Sequence, residues 1–252
     1  MANKIALITG GSRGIGRDSA LKLADKGLDI IITYNTRAAD AQAVVAQIEA
    51  TGRKAAALQL NTGVISSFED FATQLKNTLS THFGTDHFDY LVNNAGHGGY
   101  SAIPEVTEAF FDDLLNVHFK GVYFLTQKLL PFLHEGGGIV NISSGLTRVS
   151  FPGSSVYASF KSAVETFTRY LAKELGSKGI RANVVAPGAT MTDFGGAHLR
   201  GNADLQKNVS SITALGRVGT AEDIGGAVAF LCTDDARWVN GQRIEVSGGM
   251  FV

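Results

Sequence analysis

Short apolar runs rich in β-branched residues alternate with helix-length segments from one end of the chain to the other, and this alternation most narrows the choice of fold. IALIT (5–9), DIIITY (29–34), KAAALQL (54–60), FDYLVN (88–93), GIVNIS (138–143), IRANVVA (180–186) and QRIEVS (242–247) read as seven strands. Segments 14–26, 38–51, 66–82, 107–133, 154–178 and 220–232 between them have helical length and pattern. Strands apolar on both faces and separated by helices belong to a parallel sheet covered on both sides. The expected class is therefore α/β: a doubly wound, seven-stranded parallel sheet with helices on both faces. No repeat or flexible linker interrupts the pattern and the 252 residues hold only 4 prolines, so a single domain over 1–252 is expected. Residues 190–219 form the exception: a long mixed stretch between a strand and a helix, of the kind that supplies substrate-binding loops.

Charge and composition exclude several functions. Lys and Arg number 22 against 23 Asp and Glu, a formal net charge of −1 with both signs scattered. That leaves no electrostatic footprint for nucleic acid or an anionic membrane. No apolar run approaches the roughly 18 residues that a membrane span needs, and MANKIALITGG carries no targeting pattern. Cys232 is the only cysteine, which excludes an internal disulfide and fits a reducing compartment, the cytoplasm being the simple expectation. A small-molecule ligand is the default partner.

TGGSRGIG (9–16) follows the first strand and opens the first helix. Gly10, Gly14 and Gly16 there allow a tight turn and close backbone approach, and the helix N-terminus offers unpaired N–H groups and partial positive charge to a pyrophosphate. Ser12, Arg13 and Ile15 belong to the same turn. The spacing T-G-x-x-x-G-x-G resembles the short-chain dehydrogenase/reductase family. Further marks follow in order: NNAG (93–96), Ser144 placed 13 residues before Tyr157, YASFK (157–161) and PGATMT (187–192). Together they span nearly the whole chain. The resemblance implies a Rossmann-like domain, a ketoreductase-like activity and a nicotinamide cofactor. Asn93, Ala95 and Gly96 would line the adenosine side, with Pro187, Gly188, Thr190 and Thr192 toward the carboxamide.

The second strand addresses which nicotinamide cofactor is used. An acid after it would bind the ribose 2′-OH and repel a 2′-phosphate, whereas an arginine accommodates the phosphate. Here the strand runs into Tyr34-Asn35-Thr36-Arg37, with no acid before Asp40, and Arg13 lies in the glycine turn. NADP(H) is expected over NAD(H). After the third strand the family's usual aspartate is replaced by Asn61-Thr62, whose amide oxygen can still accept from an adenine amino group.

Tyr157 and Lys161 are spaced i, i+4 and share a helix face. A nearby ammonium favours the phenolate and lowers the tyrosine's ordinary pKa of about 10. Ser144 follows a strand at the carboxyl edge of the sheet, where ligands of such folds bind. By resemblance, Ser144 bonds the substrate oxygen, Tyr157 passes the proton, and Lys161 tunes Tyr157 and holds the nicotinamide ribose.

NVHFKG (116–121) departs from the family pattern. His118 stands where the family places an asparagine whose backbone carbonyl holds a water on a proton relay to the lysine. Helical periodicity gives an inward stripe of Phe111, Leu115, His118, Val122, Leu125 and Leu129, opposite Asp112, Asn116, Lys120, Tyr123 and Gln127. His118 is thus either a satisfied core histidine or a member of the relay, and the two can coexist. His82, His87, His97, His134 and His198 show no metal-ligand spacing.

Candidate substrate-pocket walls are His97 and Tyr100 after NNAG, Gly145 and Leu146 after Ser144, Phe151 and Phe194. These suit a small apolar or aromatic ketone, although any one of 15 phenylalanines is more often core than pocket. One alternative is a reductase of 3-oxoacyl groups on an acidic carrier protein. Against it, HEGGG (134–138) puts Glu135 where a basic docking residue would help, leaving Lys178 alone. Another alternative is a non-catalytic NADP(H)-binding sensor, against which the intact Ser144, Tyr157 and Lys161 argue. The resemblance further implies a homotetramer built through the two long helices and the carboxyl-terminal strand.

Overall fold

The computed structural model describes residues 3–194 and 199–252; His198 and part of the 190–219 stretch lie outside the described residues. Seven strands form one all-parallel sheet in the order β3-β2-β1-β4-β5-β6-β7. They are β1 (Ile5–Ile8), β2 (Asp29–Tyr34), β3 (Ala55–Gln59), β4 (Phe88–Asn93), β5 (Leu133–Ile142), β6 (Arg181–Pro187) and β7 (Arg243–Val246). The connecting helices are α1 (Gly14–Asp25), α2 (Ala38–Glu49), α3 (Phe68–Thr78), α4 (Glu108–Leu115), α5 (Gly121–Leu129), α6 (Ser155–Leu175), α7 (Ala203–Ser211) and α8 (Ala221–Leu231).

Strand alternation divides the apolar core in two. Ala6, Ile8, Ile30 and Ile32 pack with α1, α2 and α8 on one face, while Ile5, Leu7 and Ile31 pack with α3, α5 and α6 on the other. The i, i+3, i+4, i+7 set Phe68, Phe71, Ala72 and Leu75 gives α3 its buried stripe. Local chemistry starts the later helices: Thr107 accepts from the Phe110 N–H at α4, Asn202 from the Leu205 N–H at α7, and Thr220 with Asp223 forms a capping box at α8.

Strand order reverses between β1 and β4, opening a crevice at the carboxyl ends of the strands. Within 190–219 the expected loop contains α7, and Thr190 pairs with Gly219 at its base.

The segment expected as one helix over 107–133 is α4 and α5 joined by a π-type turn over Asn116–Lys120, followed by a 3₁₀ turn at Leu130–Phe132. That turn corrects the inward stripe. His118, Val122, Leu125 and Leu129 are buried as expected, but Phe111 is 41% exposed and Leu115 only half-buried, while Leu114 is buried. A π-turn inserts one extra residue, so the stripe upstream of His118 moves back by one position.

Candidate active site

The glycine turn is built by close approach. Gly10 (φ +65°) faces the Ala95 Cα, which a Cβ would meet at 2.9 Å, and a Cβ on Gly16 would collide with the Gly10 carbonyl oxygen. Gly14 (φ +54°) opens instead toward Thr192, 3.6 Å from where a Cβ would lie. Asn94 clamps the turn: its Nδ2 donates to the Thr9 and Gly10 carbonyls at 2.9 and 3.1 Å, and its N–H, like that of Ala95, donates to the Thr9 hydroxyl. No side chain caps α1 and its first turn holds no acid, so its N–H groups and dipole remain available to an anion.

That turn forms one end of a cavity of about 880 Å³. Gly10, Ser12, Arg13, Gly14, Ile15, Gly16, Tyr34, Arg37, Asn61, Thr62, Ala95, Gly96, Pro187, Gly188, Thr190 and Thr192 all line it. Arg37 pairs with Asp40 at 3.2 Å and Arg13 with Asp193 at 3.3 Å, all four half-exposed. The Asn61 amide oxygen accepts from the Gly63 N–H at 3.0 Å. These donors and glycines fit a dinucleotide phosphate: an uncapped helix end, a side-chain-free approach and two arginines.

Asn93 is a correction. It does not line the cavity but is buried in a polar ladder, donating to the Thr126 hydroxyl at 3.0 Å and the Asn141 amide oxygen at 2.8 Å, while Asn141 donates to Thr168 at 2.8 Å. Successive strand residues face opposite ways, so it is Asn94 that turns toward the glycine loop.

At the other end of the cavity β5 delivers Ser144 and α6 delivers Tyr157 and Lys161. The Ser144 Oγ accepts from the Leu146 N–H at 3.2 Å, leaving its own proton free to donate into the cavity. Lys161 is 4% exposed and donates to the Ile142 carbonyl at 2.8 Å; burial pushes its pKa down to about 8. The phenol of Tyr157 is pushed up from its ordinary value by burial, with the Ser144 hydroxyl opposing. The lowered pKa expected for Tyr157 is therefore reversed in the protein alone: Lys161 Nζ is 5.7 Å from the ring centroid and aimed at a backbone carbonyl. Tyr157 is held as a neutral phenol.

His118 is wholly buried, its ring edge-on to Tyr157 with centroids 4.9 Å apart. Nε2 lies 2.8 Å from the His97 carbonyl, which can only accept, so Nε2 carries the proton and Nδ1 is a bare acceptor without a partner. Burial, with Lys161 and His97 adding to it, lowers its pKa to about 2. His118 is a neutral imidazole.

The expected substrate walls His97, Tyr100, Gly145, Leu146, Phe151 and Phe194 all line the cavity, with the Phe194 ring centroid 5.7 Å from that of Tyr157. Leu199, Leu205 and Val209, from the 190–219 stretch expected to supply substrate-binding loops, also line the cavity, as does Met250, which carries no signal in the sequence. They come from α7 and its approach and from the carboxyl-terminal tail, elements that reach the site only through tertiary packing. Asp193, between Thr192 and Phe194, also lines the cavity and shows itself only through its pairing with Arg13.

The sequence profile of the family described as Enoyl-(Acyl carrier protein) reductase matches residues 10–251. The chain belongs to the short-chain dehydrogenase/reductase family. Like other short-chain dehydrogenases/reductases it is an oxidoreductase. It is 40% identical over 252 residues to an uncharacterized oxidoreductase of Methylorubrum extorquens, covering 99% of this chain and 98% of the relative. It is 37% identical to the hydroxynaphthalene reductase-like protein Arp2 of Metarhizium anisopliae, covering 99% and 95%. Among solved structures, the angucycline C-6 ketoreductase LanV with bound NADP superposes with a TM-score of 0.93 at 37% identity, covering 98% of this chain and 95% of LanV. No described helix is long and apolar enough to cross a membrane.

Proposed function

We propose that the protein is an NADP(H)-dependent ketoreductase acting on free, small aromatic or apolar ketones and the corresponding secondary alcohols. One observation carries this: a single cavity joins Ser144, Tyr157 and Lys161, beside Phe151, Phe194, Leu146 and Tyr100, to a phosphate end holding Arg13 and Arg37 and no acid at the end of β2. The NADP bound by LanV and the aromatic substrates that its name and that of Arp2 imply support the same reading.

When bound, the reduced dinucleotide supplies the hydride. Tyr157 gives its phenolic proton to the substrate oxygen while Ser144 donates a hydrogen bond to it as charge builds there. The Lys161 ammonium then stabilises the phenolate left on Tyr157. His118 supports the relay reading by position: its ring lies edge-on to Tyr157 while its Nε2–H holds the His97 carbonyl. Assembly as a homotetramer is supported by exposed aromatic side chains on α4–α6, Phe111, Tyr123, Phe124 and Tyr170, and by Trp238, which is 96% exposed beside β7.

The test is the initial rate of reduced-cofactor consumption, NADPH beside NADH, against aryl ketones, keto esters, diketones and an acetoacetyl thioester. Turnover of a free aryl ketone with NADPH preferred is expected. Turnover of the thioester alone would transfer the activity to carrier-bound substrates, and tight NADPH binding without any turnover would make the protein a sensor. Sizing chromatography at monomer mass would refute the tetramer.

A further inference from the structure

Behind Ser144, outside the cavity wall, three donors converge on a single carboxylate oxygen. Glu165 Oε1, one helical turn beyond Lys161 on α6, lies 2.7 Å from the Ser143 hydroxyl, 2.8 Å from the Thr147 hydroxyl and 2.8 Å from Arg243 Nε on β7. Of Arg243's remaining nitrogens, one reaches the same turn, donating to the Ser144 carbonyl at 3.3 Å and the Thr147 hydroxyl at 3.1 Å, and the other donates to Glu245 on β7 at 3.1 Å. The Thr147 hydroxyl is also 2.9 Å from the Ser144 carbonyl, so its one proton serves either that oxygen or Glu165 while it accepts from Arg243. Arg148 continues the cluster, donating to Glu245 and, at 2.8 Å, to the carbonyl of Met250, which itself lines the cavity.

We infer that Glu165 and Arg243 are positioning residues that set Ser144 as a hydrogen-bond donor to the substrate oxygen. The argument runs through one proton. Ser144 caps the 3₁₀ turn Gly145–Thr147 by accepting the Leu146 N–H on its Oγ, which aims the hydroxyl proton away from the turn, and that pairing exists only while the turn is kept. The turn is short: its own backbone bonds are Thr147 N–H to the Ser144 carbonyl at 3.2 Å and the Arg148 and Val149 N–H groups to the Gly145 carbonyl, and the side-chain cluster is what ties it to α6 and β7. Glu165 grips it by two hydroxyls and Arg243 by the backbone carbonyl of Ser144 itself. A carboxylate oxygen suits the task, since its charge strengthens each hydrogen bond it accepts, while the amide oxygen of a glutamine would accept from the same donors more weakly. Neither Glu165 nor Arg243 lines the cavity, so their effect on the substrate is indirect. The inference rests on the reading of Ser144 as the group that bonds the ketone oxygen.

The test compares Glu165→Leu and Glu165→Gln with wild type in steady-state kinetics and in hydrogen exchange of the peptide spanning 143–149. Glu165→Leu is expected to lower kcat on the order of tenfold or more, short of the roughly hundredfold that a 1 Å misplacement can cost. Its KM for NADPH should stay within about twofold, because the phosphate end is untouched, and exchange at 146–149 should quicken by about tenfold. Glu165→Gln keeps an acceptor oxygen and should recover most of both. If Glu165→Leu does not fold, Ser143→Ala and Thr147→Val each remove one donor and should reproduce part of the loss. Wild-type kcat in Glu165→Leu, unchanged exchange at 146–149, or an equal loss of kcat and NADPH affinity would each overturn the inference. An absence of ketone turnover in wild type would refute the substrate reading instead, and the exchange experiment would still decide whether the clamp exists.

Discussion

Removing the imidazole of His118 should flatten the acid limb of the protein's stability curve. The folded state holds this group at a pKa of about 2 against an ordinary 6.5, because it is wholly buried, its Nε2–H is committed to the His97 carbonyl and no acceptor waits beside Nδ1. Protonation would place an unpaired N–H against Gly96 and a net charge that the Lys161 ammonium repels. Above pH 6.5 both folded and unfolded chains carry neutral His118, so it contributes no pH dependence there. Below 6.5 the unfolded chain takes up a proton that the folded chain refuses. Stability therefore falls as pH drops, by about 1.4 kcal/mol per pH unit from this group alone, and by about 2.5 kcal/mol between pH 7 and 4.5. That is a large share of the roughly 5–15 kcal/mol typical of a folded protein. Urea unfolding of wild type and His118→Asn, at fixed protomer concentration and half-unit steps from pH 7 to 4.5, measures it. The variant is expected to be less stable at pH 7 through lost packing, yet to show a shallower slope below pH 6.5. Parallel curves would refute the reasoning, since they would mean that folded His118 protonates as freely as unfolded.

Three further outcomes follow from the site. Tyr157→Phe removes the proton donor proposed for the substrate oxygen and should cost roughly 10²- to 10⁴-fold in kcat with NADPH binding intact by fluorescence titration. Arg37→Leu removes a charge-assisted contact to a 2′-phosphate worth about 1.5–3 kcal/mol, so the Kd for NADPH should rise by about 10- to 150-fold and that for NADH should stay put; equal changes for both would show that Arg37 does not read the phosphate. Lys161 loses its proton near pH 8 in the folded protein, so ketone reduction should decline above that pH along a one-proton curve, and a rate flat to pH 10 would separate the ammonium from the chemistry.

The sequence discloses the sheet and the chemical groups because each is carried by a local pattern. All seven expected strands are present, since a continuous β-branched run between helical segments has one outlet, a buried parallel strand. Gly10, Gly14, Gly16, Ser144, Tyr157 and Lys161 sit within short motifs whose spacing already fixes a turn or a helix face. What stays hidden depends on partners distant in the chain. Asn93 and Asn94 are adjacent and chemically identical, and only the last residue of β4 decides that one enters the Asn141–Thr168 ladder while the other clamps the glycine turn. The stripe through His118 was displaced upstream because a π-turn leaves no signature in hydrophobic periodicity; it shows itself as a one-residue slip between Leu114 and Leu115. The Glu165–Arg243 contact joins residues 78 positions apart, and in the sequence each is an ordinary charge. The extra residue in the π-turn and the carboxylate behind Ser144 are thus features of one kind. Each sets the direction of a single side chain at the site, His118 or Ser144, and each becomes visible only when the sheet has brought α6 against its neighbours.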